Sequence, residues 1–281
     1  MIIDKPSGWT SMDVCAKVRG ILHEKRVGHG GTLDPLATGV LPVFAGSATR
    51  GVEFAENSRK EYIAGLRLGT VTDTQDVSGT VLATYPVHVS QDDLQMVLSR
   101  FTGDLQQIPP MYSAVKINGK KLYELARRGK TVDRPPRHVT IYELQLLEQL
   151  NDTDFRIRCL CSKGTYIRTL CHDIGQTLGC GGMMYELCRT MSAGFHLADA
   201  VTLDEVQIRG AELLRPVDTL FHEYPMVQLP FPSMERRVRA GNSVRMSVAD
   251  GLYRVYGLNR DFLCLSRATD GILTSVKNFF T

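Results

Sequence analysis

Asp34 is the residue of this chain best placed to do chemistry. It lies in the run Gly28-His29-Gly30-Gly31-Thr32-Leu33-Asp34-Pro35-Leu36-Ala37-Thr38-Gly39-Val40-Leu41-Pro42-Val43, with apolar Leu33, Leu36, Val40 and Leu41 around it. The glycines before it let the backbone turn sharply and come close to a ligand. Pro35 holds the preceding residue away from helical dihedrals, so the carboxylate is expected to project from a stiff loop. A carboxylate presented in that way can serve as a nucleophile. Taken alone, an Asp-Pro pair also makes an ordinary turn packed on a core.

The second chemical feature is a concentration of charge. Lys116, Lys120, Lys121, Arg127, Arg128, Lys130, Arg134 and Arg137 face only Glu124 and Asp133 in the same stretch. Eight positive charges minus two negative give a local +6 in a chain whose net charge is +3. Tyr112 and Tyr123 are interleaved with them, and the segment opens on the loop Pro109-Pro110-Met111-Tyr112-Ser113-Ala114. Basic side chains mixed with aromatics suit a partner lined with phosphates and stacked bases, and RNA contact is favoured over an inert solvated face.

Regular elements must hold these groups in place. Asp4 to Trp9 reads as a strand end entering a turn, and Thr10-Ser11 can cap a helix carrying Val14, Val18, Ile21 and Leu22. Glu61 to Leu68 alternates as a strand with Tyr62, Ala64, Leu66 and Leu68 on one face. Asp73 and Asp76 then fall in a Gly-bounded turn, which explains them without a metal. Ser90 to Asp93 resembles a capping box for a helix with Leu94, Val97, Leu98 and Phe101 inward. A strand from Phe155 to Cys161 turns through Ser162-Lys163-Gly164-Thr165 into a helix bearing Ile167, Leu170, Cys171, Ile174 and Leu178, with Arg168 in its first turn and off that apolar face. Pro225, Pro230 and Pro232 mark a boundary near residue 225. The remaining C-terminal stretch is strand-like, with Arg236, Arg237, Arg239 and Arg245 making it basic near its start.

Composition supports one large or two modest domains: 281 residues with 43% hydrophobic content can bury a core. No apolar run is long enough to cross a bilayer and the start lacks a secretion signal, so cytoplasmic residence is expected. Seven cysteines, an odd number with no paired Cys-x-x-Cys spacing, argue for core packing over disulfides or zinc.

The Asp34 run resembles, almost position for position, the signature of the TruB-type tRNA pseudouridine synthases. The resemblance extends to Lys5-Pro6-Ser7-Gly8-Trp9-Thr10-Ser11, the Lys60-x-Tyr62 pair, Pro109 to Lys116, Ser162 to Arg168 and Tyr185 to Thr190, covering residues 2 to about 220. It implies an α+β fold around a mixed or antiparallel sheet: a catalytic domain over residues 1–224, an RNA-clasping insertion at about 103–138 within it, and a small β-rich PUA-like RNA-binding domain over 225–281. It further implies isomerisation of uridine 55 in the T-loop of tRNA, with Asp34 as nucleophile, Arg168 keeping it ionised, and Tyr62 against the target base. Leu187 would lie opposite Tyr62, and His29 would fill the space the flipped base leaves. Lys60, Lys116, Lys120, Lys121, Arg127 and Arg128 are the remaining candidate RNA contacts. No cofactor, metal or guide RNA is implied, and a monomer acting on the T-arm of tRNA is expected. Three alternatives differ in what they need. A glycoside hydrolase wants two facing carboxylates where one is in a convincing setting. A non-catalytic RNA-binding or chaperone protein has no use for the Asp34 loop, and a dyskerin-like enzyme takes its target from a guide RNA.

Overall fold

Apolar alternation along successive strands builds the frame of the molecule. In the computed structural model, which describes residues 1–117 and 119–280, the first strands are β1 (Ile2–Lys5), β2 (Val27–His29), β3 (Thr38–Ala45) and β4 (Lys60–Leu68). A separate hairpin of β5 (Thr70–Thr72) and β6 (Val81–Thr84) comes after them, then β7 (Gly103–Gln107) and a short ribbon of β8 (Lys116–Ile117) and β9 (Lys120–Lys121). β10 (Arg137–Gln149), β11 (Asp154–Cys161), β12 (Gly182–Ser192) and β13 (Phe195–His196) come next. Nine of these strands form one sheet in the order β1-β3-β12-β4-β11-β10-β7, with β2 on β3 and β13 on β12. β12 runs parallel to β3 and antiparallel to β4, so the sheet is mixed.

On β4, Tyr62, Ala64, Leu66 and Leu68 are buried together, and the register sets Cys159, Ile157 and Phe155 of β11 beside the first three. Helices cover this face. Among α1 (Ser11–Leu22), α2 (Val52–Asn57), α3 (Gln91–Arg100), α4 (Leu122–Ala126) and α5 (Ile167–Thr177), it is α3 and α5 that add Leu94, Val97, Leu98, Ile167, Leu170, Cys171 and Ile174 to the core of β4 and β11. The expected caps form, Thr10 pairing with Asp13 and Ser90 with Asp93, and Thr202 pairs likewise with Glu205 ahead of α6 (Leu203–Arg209). Cys159, Cys161, Cys171 and Cys180 are free thiols inside this core, as core packing requires.

The insertion is narrower than its sequence suggests. Residues 103–107 and 137–141 pair as neighbouring sheet strands, Gln107 opposite Arg137 and Gly103 opposite Ile141. Of the described residues in this range, 108–117 and 119–136 between them stand outside the sheet.

The C-terminal part is a β-rich domain with its own core of Leu229, Val238, Val244, Val255, Leu263, Cys264, Ala268 and Leu273. Its five strands, β14 (Met226–Gln228), β15 (Val244–Arg245), β16 (Gly251–Tyr256), β17 (Phe262–Thr269) and β18 (Ile272–Asn278), take the order β14-β16-β17-β18-β15. β16 and β17 fall where alternation places strands, at Leu252 to Gly257 and Phe262 to Arg267, and a helix, α7 (Pro232–Arg239), holds the basic start of the domain. Pro232 sits in the helix's first turn, where a missing N–H costs nothing, and three arginines fill its last turn, where they complement the helix dipole. Phe221, Leu265 and Phe279 pack with Phe54 of α2 where this domain meets the rest of the molecule.

Candidate active site

The loop between β2 and β3 presents Asp34 as its sequence demands, outside any helix. Its backbone is gripped from two sides. The Ser11 hydroxyl accepts from the Leu33 N–H at 2.9 Å, and the Gly8 N–H donates to the Pro35 carbonyl at 2.8 Å. Lys5, fully buried, donates to the carbonyls of Pro6, Trp9 and Pro35 at 2.9, 2.6 and 3.2 Å. From the other side Arg189, 1% exposed, donates to Val40 O at 2.7 Å, Gly31 O at 3.1 Å and Thr32 O at 3.5 Å. Two buried cations therefore fix the loop through its carbonyls, which satisfies their own need for acceptors. Burial pushes the Lys5 ammonium down to about 8.

A third cation holds the carboxylate itself. Arg168 Nε lies 2.8 Å from Asp34 Oδ2, and Nη2 donates to Oδ1 at 3.3 Å. The same guanidinium donates to Thr74 O at 3.1 Å and Tyr112 O at 2.9 Å, with Asp76 Oδ2 3.5 Å from its Nε. Arg168 is thus buried between elements that converge from the Asp34 loop, the turn after β5, the insertion and α5. The Asp34 side chain keeps 34% of its surface, so the carboxylate is anchored on one side and open on the other. Burial raises its pKa above the usual carboxylate range; Arg168 opposes the rise and Asp76 adds to it.

The remaining expected site residues divide into those at the carboxylate and those elsewhere. Tyr62 pairs in register with Arg189, and Leu187 with Ala64, so both lie in the core that Leu33 and Ala37 join. Leu187 is beside Tyr62 on the neighbouring strand rather than across a cleft from it. Burial drives the Tyr62 hydroxyl up to about 12, which keeps it neutral. His29 ends β2 with its Nδ1 buried and, among the described residues, without a partner, and burial lowers its pKa below the usual imidazole value. Lys60 requires a correction. Its ammonium is not open to a substrate, because it is buried and donates to Ala55 O, Glu56 O and Ser58 O at the end of α2, at 3.1, 2.5 and 2.8 Å. A buried ammonium needs acceptors, and a helix C-terminus supplies them.

Lys116, Lys120, Arg127 and Arg128 are exposed on the insertion. Half-buried Lys121 and exposed Arg127 lie over the Tyr123 ring, each 5.4 Å from its centroid. Asp76, Arg189 and the anchoring role of Lys5 were not anticipated from the sequence. A usable signal existed for Arg189, since alternation along Leu187-Cys188-Arg189 puts it inward on an apolar face, where an arginine needs a reason.

Gly39 shows how tightly the loop is seated. It has φ +97°, and a Cβ there would meet Arg189 O at 2.3 Å. Gly39→Ala is expected to displace the loop from Arg189, lowering the thermal midpoint by several degrees and activity by about 10²-fold. Melting curves with single-turnover assays check this; unchanged values would mean the seat is looser than described.

Known proteins are similar to this chain in sequence and fold. Residues 19–167 match the N-terminal domain of TruB family pseudouridylate synthases, and residues 168–222 match the C-terminal domain of tRNA pseudouridylate synthase B. The tRNA pseudouridine synthase B of Clostridium kluyveri is 40% identical over 277 residues, 92% of this chain and 95% of that protein. That of Geobacillus thermodenitrificans is 44% identical over 258 residues, 88% of this chain and 85% of that protein. Among solved structures, a chain of an H/ACA RNP bound to a substrate RNA containing 2'-deoxyuridine superposes with a TM-score of 0.72 at 25% identity, over 100% of this chain and 84% of that one. Fold and site together define a pseudouridine synthase, an isomerase. The chain belongs to the TruB family of these enzymes.

Proposed function

We propose that the protein isomerises uridine 55 in the T-loop of tRNA to pseudouridine, with Asp34 as the nucleophile. The observation that carries the reading is the Arg168–Asp34 pair, a carboxylate held by a guanidinium on one side and open on the other. The names of the relatives support tRNA as substrate. In the reaction the uracil N1–C1′ bond breaks, the base rotates, and C5 bonds to the same C1′; C5 then loses its proton and N1 gains one. Atoms balance with no redox partner or nucleotide. Asp34 attacks the base or the sugar carbon, Tyr62 and Leu187 bound the space for the flipped base, and His29 enters the gap left in the loop. The test is to incubate the pure protein with unmodified tRNA and map pseudouridines. A single product at the T-loop uridine is expected; product elsewhere, or none, would overturn the assignment.

The likeness to an H/ACA RNP chain favours one rival, an enzyme that takes its target from a guide RNA. The same incubation separates them, since it contains no guide and no second protein. Turnover under those conditions is expected, by a monomer acting alone on the T-arm.

The insertion would grip phosphates rather than read bases. Among the described residues none of its seven cations from Lys116 to Arg134, nor Arg137 at the start of β10, forms an ion pair within the protein. Neutralising Lys120, Lys121, Arg127 and Arg128 together is expected to weaken tRNA binding and to flatten its salt dependence, by roughly 0.7 to 0.9 in log–log slope for each phosphate no longer neutralised. Turnover at saturating tRNA should fall far less than affinity. A salt titration beside single-turnover kinetics measures both, and an unchanged slope would make this charge an ordinary solvated face.

A further inference from the structure

We infer that Arg59, Tyr142 and Lys163 form a second phosphate-binding patch, beside the nucleophile loop and separate from the insertion, that holds the backbone of the substrate RNA strand. The inference rests on the proposed RNA substrate and adds a contact surface to it.

Strand register sets the place. β4 begins at Lys60, opposite Cys161 at the end of β11 and Ser192 at the end of β12. Ile141 of β10 pairs with the same Cys161, and the Thr140 N–H donates to the Ser162 hydroxyl at 2.9 Å. Arg59 before β4 and Lys163 after β11 therefore flank the same sheet end as Tyr142, which lies within β10 at the bulge beside Ile141. That end carries the site: Tyr62 and its register partner Arg189 are the next inward-facing pair, and Lys163 precedes Arg168 by one short turn.

Chemistry sets the ligand. All three side chains are exposed. The Arg59 guanidinium lies over the Tyr142 ring, 4.2 Å from its centroid, which fixes the fork while leaving its N–H edges open. Lys163 Nζ donates to Asn57 Oδ1 at 2.7 Å, holding the ammonium near the same helix end. Neither cation has a carboxylate partner among the described residues. Three arginines of β4 and β11 do: Arg67 pairs with Asp154, Arg156 with Glu148 and Glu186, and Arg158 with Glu61 and Glu143. β4 and β11 thus carry their arginines in ion pairs, whereas the site's rim carries these two cations and a stacked tyrosine. An anion presented at intervals along a strand, with bases to stack, matches that set.

The experiment measures equilibrium binding of a T-arm stem-loop RNA across a salt series for wild type and for Arg59→Ala/Lys163→Ala. The double variant is expected to bind about tenfold more weakly, with a log–log slope shallower by roughly 1.4 to 1.8 for two phosphates no longer neutralised. Arg59→Lys, which keeps charge but loses the stacked fork, should fall between them. Arg156→Ala, an ion-paired arginine of the same sheet, should bind as wild type does. Thermal midpoints of all variants within a degree or two of wild type show that the fold is kept. A wild-type slope and affinity in the double variant would overturn the patch, as would an equal effect from Arg156→Ala. If wild type converts the T-loop uridine and the double variant still binds normally, this inference alone fails; if wild type neither binds nor converts the RNA, the proposed function fails with it.

Discussion

Asp34→Asn is expected to abolish pseudouridine formation, by at least about 10⁴-fold, while binding tRNA within a few-fold of wild type. The amide has nearly the shape of the carboxylate but cannot form the covalent bond the reaction needs. The fold should tolerate the change, because Arg168 keeps a carboxylate 3.5 Å away in Asp76 and carbonyl acceptors in Thr74 and Tyr112. The loop is also held by contacts that do not involve the Asp34 side chain, namely Ser11 on Leu33, Lys5 on Pro35 and Arg189 on Gly31 and Val40. Loss of one negative charge beside a polyanion should, if anything, tighten binding slightly. Single-turnover assays with saturating enzyme separate chemistry from affinity. Turnover within tenfold of wild type would remove Asp34 from the mechanism.

Much of this site is legible in the sequence, for physical reasons that differ from residue to residue. Alternation determines which face of β4 Tyr62 occupies, because the side-chain period of a strand leaves only two choices. The glycines and Pro35 mark a loop because few residue types tolerate its turns. Arg168 is legible only by resemblance: its spacing puts it off the apolar face of α5, and the sequence alone cannot say that Asp34 and the insertion close over it. Lys60 illustrates the opposite failure. A lysine two residues from an aromatic looks like a substrate contact, yet the buried end of α2 supplies three carbonyls that no local pattern announces. Asp76 is hidden by a turn that explains it adequately. Its burial and its place beside Arg168 depend on pairing with β12, where the Val77 N–H donates to Met184 O across more than a hundred residues. In this molecule, groups that act through local geometry are legible, and groups that act by meeting partners distant in sequence are not.

Arg168 should be the most pH-revealing position. Burial holds the Asp34 pKa above the ordinary carboxylate range, and the Arg168 guanidinium is the largest influence pulling it back down, through its charge and again through its hydrogen bond. With the ionised carboxylate as the proposed nucleophile, the rate is expected to rise with pH through that pKa. Removing the guanidinium withdraws stabilisation from the charged form alone, so the pKa must rise and the acid limb of the rate profile must move to higher pH. Arg168→Ala also leaves Asp34 and Asp76 facing each other without a cation, and two carbonyls without a donor. A cost near the lower end of the roughly 3–5 kcal/mol typical of a broken buried pair is expected, because Asp34 remains about a third exposed. Arg168→Lys tests orientation apart from charge. An ammonium can neutralise the pair but cannot bind Asp34 Oδ1 and Oδ2 while also reaching Thr74 and Tyr112, so a loss of about 10²-fold is expected with a smaller shift of the acid limb than in Arg168→Ala. Single-turnover rates measured from acid to neutral pH for wild type and both variants give the result. An acid limb that stays in place in Arg168→Ala would mean that something other than this guanidinium keeps Asp34 ionised.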